Sequence, residues 1–323
     1  MTDTLAADVT VVTAAYSMDR WDLTCRAVES ALAQEPLPRE IIIPVDHNTE
    51  LLERLRARWE RDPQDGQPGI RVVPSRYDGH LGASATTAAE LATTTYLLFL
   101  DDDAAAEPGW LARMLAPLAD QRVRAVGGAP IPEYAGSRPR WFPGEFNWVF
   151  GCAYTGLPMT RAPVLHLIGT TMAVRRDDVI RMGGIHSDNH PDMELCHKLL
   201  EMYPDGVLLY EPAATVLHHV PASRTTWGYF WRRVFSVNRS KVQAVEEMGD
   251  AGHLGAERGF VTEIAPTGVV QGLRDATRGD TSGVVRAGVI ILGVYLSGAG
   301  FGLGTMELWG RRIRNRPSPK RGW

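Results

Sequence analysis

Cysteine is scarce. Cys25, Cys152 and Cys196 are the only three, none forms a CxxC pair, and the count is odd. A disulfide-held scaffold is therefore not expected, and reduced thiols are the default. A strong charge of either sign is also missing. The formal net charge of -4 gives no global reason to bind nucleic acid. The leading stretch "MTDTLAADVTVVTAAYS" lacks a basic n-region and is interrupted by Asp3 and Asp8. It does not read as a secretory signal. No internal repeat or low-complexity tract is visible. The turn "TAAYSMDRWD" offers little of the glycine-rich, Lys/Arg-bearing phosphate loop expected of a nucleotidyltransferase. The 323 residues suit one large domain, or a domain with an appendage.

What is present is alternation. "VTVVTAAY", "EIIIPVD", "IRVVPS", "YLLFL" and "VRAVGG" read as strands. "DLTCRAVESALAQ", "TELLERLRARWERD", "GASATTAAELATT" and "PGWLARMLAPLAD" read as the helices between them. Apolar strands alternating with helices predict a mainly parallel, Rossmann-like α/β sheet with helices on both faces. From Ala129 to Pro163 six prolines interleave with aromatics, which predicts a long ordered loop. Beyond it, "HLIGTTMAVRR" reads as a strand, "PDMELCHKLLEMY" as a helix and "GVLLYEPAATVLHHV" as two short strands. A long helix follows, with Trp227, Phe230, Trp231, Val234 and Phe235 at helical spacing.

Such sheets bind ligands beyond the C-terminal ends of their strands, and polar residues collect there. Ala14 and Tyr16 follow the first strand, Asp46 ends the second, and Asp101, Asp102 and Asp103 end "YLLFL". Three adjacent carboxylates repel one another, and a hard divalent cation offsets that repulsion best. Mg²⁺ or Mn²⁺ at such a place bridges protein carboxylates to phosphates and eases the departure of a diphosphate. The competing explanation is a helix start at Asp103, Glu107 and Pro108. Asp46 suits an acceptor for a nucleobase edge, or alternatively a cap of the helix beginning near Thr49.

With these stretches the sequence resembles family 2 glycosyltransferases of the GT-A fold. The resemblance runs from about Val9 to Met248, through "VTVVTAAYSMDRWDLTCRAVESALAQ", "EIIIPVDHNTEL", "YLLFLDDDAAAEPGWL", "IGTTMAVRRDDVIRMGG", "DMELCHKL" and "HHVPASRTTWGYFWRR". It is nearest to the branch that resembles glucosyl-dolichyl-phosphate glucuronosyltransferases. It implies an inverting transfer from a nucleoside diphosphate sugar, most simply UDP-linked, to a hydroxyl on a glycan or polyprenyl-phosphate-linked acceptor. Asp46 would meet the nucleobase. Asp101 and Asp103 would form the metal-binding DxD, and Asp102 would face the donor sugar or ribose. Asp192 matches the catalytic base, with Asp188 and Glu194 in reserve; Asp188 is also an acceptor-side candidate. His218 or His219 would complete the metal shell, and His218 is preferred. Gly82 lies in the donor segment, and Arg233, on the aromatic-rich helix, is the candidate phosphate clamp. Trp141 and Trp148 would form an acceptor wall.

Each assignment has a plainer counterpart. An acid like Asp192 in a first helical turn stabilises the helix dipole. His218 could make an ordinary strand-end hydrogen bond, the basic residues could form a solvated face, and the loop aromatics could be packing. Two departures stand out. Pro191 occupies the place where the family usually has Glu, and Ser84 and Ala85 replace its usual Arg-Asn. They keep open a noncatalytic, membrane-associated sugar-nucleotide-binding scaffold.

The expected organisation is a GT-A domain over residues 1–248, with a donor half 1–128 and an acceptor half 129–248, and a helical region 249–323. From Ala287 to Met306 no side chain is charged, and the tail carries Arg311, Arg312, Arg314, Arg316, Lys320 and Arg321 without an acid. About 20 apolar residues can cross a bilayer. A span from an unexported domain would place this basic tail outside, against the positive-inside tendency. An interfacial or re-entrant helix on the cytosolic face fits better; the alternative is a buried glycine-rich hairpin.

Overall fold

The computed structural model describes residues 8–64, 66–77, 81–187, 190–247 and 255–314. The chain divides into two compact units, Met1–Arg138 with Phe150–Ala222, and Pro139–Val149 with Ser223–Trp323.

The first unit opens as the alternation predicts. β1 (Val9–Val12), α1 (Trp21–Leu32), β2 (Glu40–Val45), α2 (Thr49–Trp59), β3 (Gly69–Pro74), α3 (Leu81–Leu91) and β4 (Tyr96–Leu100) follow in turn. The four strands run parallel in the order β3-β2-β1-β4. Successive residues of one strand enter opposite cores. Ile41 and Ile43 pack on one face and Ile42 on the other; Leu98 and Leu100 oppose Leu97. Burial on both faces is why these strands read as unbroken apolar runs. Asn48 caps α2, its Oδ1 accepting from Leu51 N at 3.0 Å, so Asp46 is not the cap.

After β4 come β5 (Ala104–Ala106), α4 (Trp110–Leu115), β6 (Val123–Tyr134), β7 (Ala162–Val164), β8 (Thr171–Arg175), α5 (Arg176–Arg181), α6 (Pro191–Met202) and β9 (Val207–Val220). The whole sheet runs β3-β2-β1-β4-β8-β6-β9-β5, with β7 paired to β9. β8 is antiparallel to both neighbours, so the sheet is mixed beyond β4. Several sequence expectations change here. The triple acid leads into β5, not a helix, and α4 begins only after Gly109, whose φ is +79°. The region expected to be loop from Ala129 starts as strand, because β6 continues to Tyr134. The two strands expected around Glu211 are one long strand with a shift in register opposite Gly127 and Ala129. Pro212 lies in that shift and has no N–H to give the ladder, while the Glu211 carboxylate accepts from Ala213 N at 3.1 Å.

The second unit is helical: α7 (Trp227–Glu247), α8 (Gly255–Gly259), a π-helical turn (Phe260–Ile264), α9 (Ala265–Thr277) and α10 (Ser282–Arg314). Pro139–Val149 supplies aromatics to it. Phe142 and Phe146 meet Phe230 with centroids 5.6 and 5.4 Å apart, and Phe146 meets Phe260 at 5.3 Å. α10 is one continuous helix of 33 residues, so the apolar stretch contains no turn of its own; the hairpin lies between α9 and α10, where a Cβ on Gly272 would come 2.6 Å from Gly283 O. The glycines of α10 divide by face. A Cβ on Gly300 would lie 2.4 Å from Phe235 O, and one on Gly304 2.5 Å from Arg239 O. Those two glycines let the α7 and α10 backbones touch. Gly288, Gly298, Gly302 and Gly310 face open space.

A pair of variants separates these roles. Gly304→Val drives a side chain into the α7 backbone and should destabilise the protein by about 1–3 kcal/mol. Gly302→Ala should leave stability unchanged or raise it by up to about 1 kcal/mol. Denaturant unfolding of the full chain measures both, and equal effects would refute the close packing of α7 on α10.

Candidate active site

The candidate site gathers at the C-terminal end of β4, where the backbone fixes each acid. Asp101 N donates to Thr170 O at 3.1 Å, tying the end of β4 to the residue before β8. β5 pairs antiparallel with β9 in a register that sets Ala104 opposite His218. His218 thereby lies beside Asp103, its Nε2 2.9 Å from Asp103 Oδ1. His219 uses its backbone N–H on Asp103 O at 2.8 Å. α1 clamps the other side. Ser30 Oγ accepts from Ala106 N at 2.9 Å, and Gln34 bonds Glu107 O and Leu111 N.

Asp101, Asp103 and His218 each offer one ligand atom, and these atoms lie within 4.8 Å of one another. Two carboxylates and an imidazole are a donor set for Mg²⁺ or Mn²⁺. The electrostatics fit a missing positive charge. Burial first, and then Asp103, pushes the Asp101 carboxyl up. Burial pushes Asp102 up to about 7 against the pull of Arg20, and its Oδ2 is buried without a hydrogen-bond partner. Burial acts to lower His218, yet its hydrogen bonds to Asp103 and Cys152 carry it up to about 10. Cys152 Sγ lies 3.2 Å from His218 Nδ1 and completes that chain.

Arg20 is the cation that sequence reading missed. It pairs with Asp102 and, at 2.9 Å, with Asp103 Oδ2, and its guanidinium stands over the Tyr16 ring. Tyr16 itself is exposed. Asp46 follows β2 and pairs with His47, whose φ of +43° makes it the one non-glycine residue with positive φ among the described residues. Asn48 Nδ2 reaches Tyr16 O at 3.2 Å, linking the two loops. Gly82 is buried in the first turn of α3, its carbonyl accepting from Thr86.

Asp192 stands in the first turn of α6, behind Pro191. Its Oδ2 accepts from Gly169 N at 3.3 Å and lies 3.6 Å from His166 Nε2; Oδ1 accepts from Met193 N at 2.9 Å. A Cβ at Gly169 would come within 3.1 Å of Asp192 Cβ, so the glycine admits the acid. Neither His166 nor Gly169 carried a local signal in the sequence. Asp101, Ala14 and Asp192 line one cavity, together with Ala85 and Pro191. Glu194 is committed elsewhere, accepting from His186 N and Ser187 N and pairing with Lys198 at 2.6 Å. Asp188 lies outside the described residues. Trp141, Trp148 and Arg233 belong to the second unit. Trp141 packs on Trp227 and Phe230, Trp148 on Phe146, and Arg233 is exposed on α7.

A sheet whose parallel half ends in an acid cluster is the arrangement expected of a glycosyltransferase of the GT-A class. The chain belongs to glycosyltransferase family 2: residues 10–183 match the family model described as Glycosyl transferase family 2. It is 31% identical over 245 residues to the glucosyl-dolichyl phosphate glucuronosyltransferase of Haloferax volcanii, covering 72% of this chain and 76% of that one. The fold is similar to a mannosyltransferase from Pyrobaculum calidifontis, solved with GDP-Man and Mn²⁺. The TM-score is 0.58 at 18% identity, over 94% of this chain and 87% of that one. It is also similar to GalNAc-T7 solved with UDP, GalNAc and Mn²⁺, with a TM-score of 0.50 at 16% identity. That match covers 80% of this chain and 56% of that one, so the chain spans little more than half of GalNAc-T7. The nucleotidyltransferase and scaffold alternatives give way to a glycosyltransferase.

The pKa directions set a sign for metal binding. Asp101 and Asp102 are raised above their unfolded value, so their contribution to stability is present at low pH and is lost as pH rises through about 7 for Asp102. His218 holds its proton up to about 10, and a cation must displace it. All three favour the cation as pH rises. The gain in Tm on adding Mn²⁺ should be larger at pH 8 than at pH 5.5, and Asp103→Asn should abolish it. Equal gains at both pH values would contradict this account.

Proposed function

We propose that this protein is an inverting glycosyltransferase that moves a sugar from a UDP-linked donor to a hydroxyl of a lipid-linked or growing glycan. The observation that carries the reading is the single cavity shared by Asp101 and Asp192. The leaving diphosphate and the attacking hydroxyl must approach the anomeric carbon from opposite sides, and these carboxylates supply one partner for each. Asp101, Asp103 and His218 would hold Mg²⁺ or Mn²⁺, which neutralises the diphosphate as it departs. The Mn²⁺ in the two similar structures supports the choice of cation.

Asp192 removes the acceptor hydroxyl proton while the new glycosidic bond forms and the bond to the diphosphate breaks. Gly169 N and Met193 N fix its two oxygens, and His166 faces the same carboxylate. Asp46, released from capping α2, accepts from the nucleobase, and Asp102 offers its free oxygen to a sugar or ribose hydroxyl. Arg20, fixed between two of the acids, keeps the cluster together when no cation is bound.

The acceptor reading draws on the name of the Haloferax relative and on α10. Ser282–Arg312 is long enough to cross a membrane, its most apolar 18-residue window has a mean hydropathy of 1.8, and only 28% of that window is buried. Ile291, Tyr295, Met306 and Trp309 are each at least 60% exposed. An apolar face of this size, ending at Arg311 and Arg312, suits the cytosolic surface of an anionic bilayer.

Asp192→Asn should lower turnover at least a hundredfold and leave UDP and Mn²⁺ binding within about twofold of wild type. Nucleoside diphosphate release and calorimetry measure the two halves, and unimpaired turnover would remove Asp192 from the mechanism. The intact protein should float with vesicles containing anionic lipid, while Ile291→Glu combined with Trp309→Glu should remain in the soluble fraction. Flotation of both proteins alike would count against α10 as the contact.

A further inference from the structure

The cavity between Asp101 and Asp192 also bears on which sugar is transferred, given the glycosyltransferase reading above. Its volume is about 50 Å³, several times the space one water requires. Ala14 and Ala85 form part of its wall, with Phe99, Met172, Ile185 and Leu195. Only two of its twelve lining residues are ionisable, and both are acids. No Lys, Arg or His lines it among the described residues. The nearby basic groups are engaged by acids: Arg20 pairs with Asp102 and Asp103, and His166 faces the Asp192 carboxylate.

The anomeric carbon has to lie between the diphosphate and the base, so the donor ring stands at this cavity and a ring substituent fills it. A hexuronate would set its carboxylate against Phe99, Met172 and Leu195, where no Lys or Arg among the described residues lines the cavity to pair it. Burying an unpaired charge is strongly unfavourable. A hydroxymethyl would set a polar group against Phe99, Met172 and Leu195. A methyl meets them without desolvating anything polar. We infer that the donor sugar is uncharged and places a methyl-terminated substituent, a 6-deoxy carbon or an N-acetyl group, against this apolar wall.

The test uses the full chain with Mn²⁺ and donors matched in nucleotide: the hexose, the N-acetylhexosamine, the 6-deoxyhexose and the hexuronate, each as the UDP, GDP and dTDP sugar. Nucleoside diphosphate release gives kcat/KM for each. One methyl-bearing donor should exceed its parent hexose by about tenfold or more, the discrimination one such group gives in an apolar pocket. The hexuronate should be the poorest. Comparing the N-acetyl and 6-deoxy arms identifies the methyl's source. Ala85→Val and, separately, Ala85→Leu fill the cavity and should reduce the preference for the methyl-bearing donor at least threefold. An unchanged preference in both would overturn the assignment of the cavity. If the hexuronate is the best donor, the inference falls while the glycosyltransferase reading stands. If no donor releases nucleotide, that reading falls and takes the inference with it.

Discussion

The repulsion between Asp101 and Asp103 is the constraint around which the first unit is organised. A buried and a half-buried carboxylate this close do not stay together unaided, and the surrounding fold supplies what restrains them. Thr170 O fixes the backbone of Asp101, and the pairing of β5 with β9 brings His218 to Asp103. Arg20 reaches in from the turn before α1 to neutralise Asp102 and Asp103. The cluster is offset by one permanent cation and one proton, and by the partial neutrality of Asp102 near pH 7. Asp101, Asp103 and His218 would hold a divalent ion, whose charge would take the place of that proton. The acids are thus held in place by the framework itself, which is the preorganisation an electrostatic site needs.

Much of this was legible in the sequence for one physical reason. A strand buried on both faces has to be apolar throughout, so β1, β2 and β4 announce themselves, and an acid at such a strand's end is conspicuous. The parallel half of the sheet and Asp46, Asp101, Asp102 and Asp103 were found this way. What escaped depends on pairing across long separations. β5 is three alanines, and only its register against β9 makes it a strand. Arg20 lies 82 residues from Asp102, and Gly169 lies 23 from Asp192. No local spacing encodes such distances. Cys152, read only as an unpaired thiol, turns out to sit against His218.

The helical unit shows the opposite failure, in which a local rule was applied where packing decides. Glycine weakens an isolated helix, so the glycines of α10 count against it by local propensity. In the folded chain Gly300 and Gly304 are the places where α7 comes nearest, and Gly293 accommodates Phe146. The lost propensity is offset by contact area that larger side chains would forbid. Glycines facing open space bring no such return. Their side of α10 is also the side on which large apolar groups remain exposed.

The two departures from the family pattern meet in part once the site is assembled: Pro191 and Ala85 share a wall, while Ser84 is not among its lining residues. Ala85 and Pro191 are separated by more than a hundred residues, and both line the cavity that holds Asp101 and Asp192. Each puts an apolar group where the resemblance leads one to expect a polar or charged one. Pro191 does so without harming its helix, because at the first helical position its missing N–H has no partner to lose and its φ is already suitable. Ala85 does so on a helix of small residues packed against the sheet. Two unrelated segments losing polarity toward the same space is difficult to attribute to the fold, which needs neither change. It follows more directly from an uncharged group having to fit between the two remaining carboxylates. On that argument Pro191 and Ala85 would adapt the site to its donor, and the proposed base is Asp192, held by two backbone N–H groups and faced by His166.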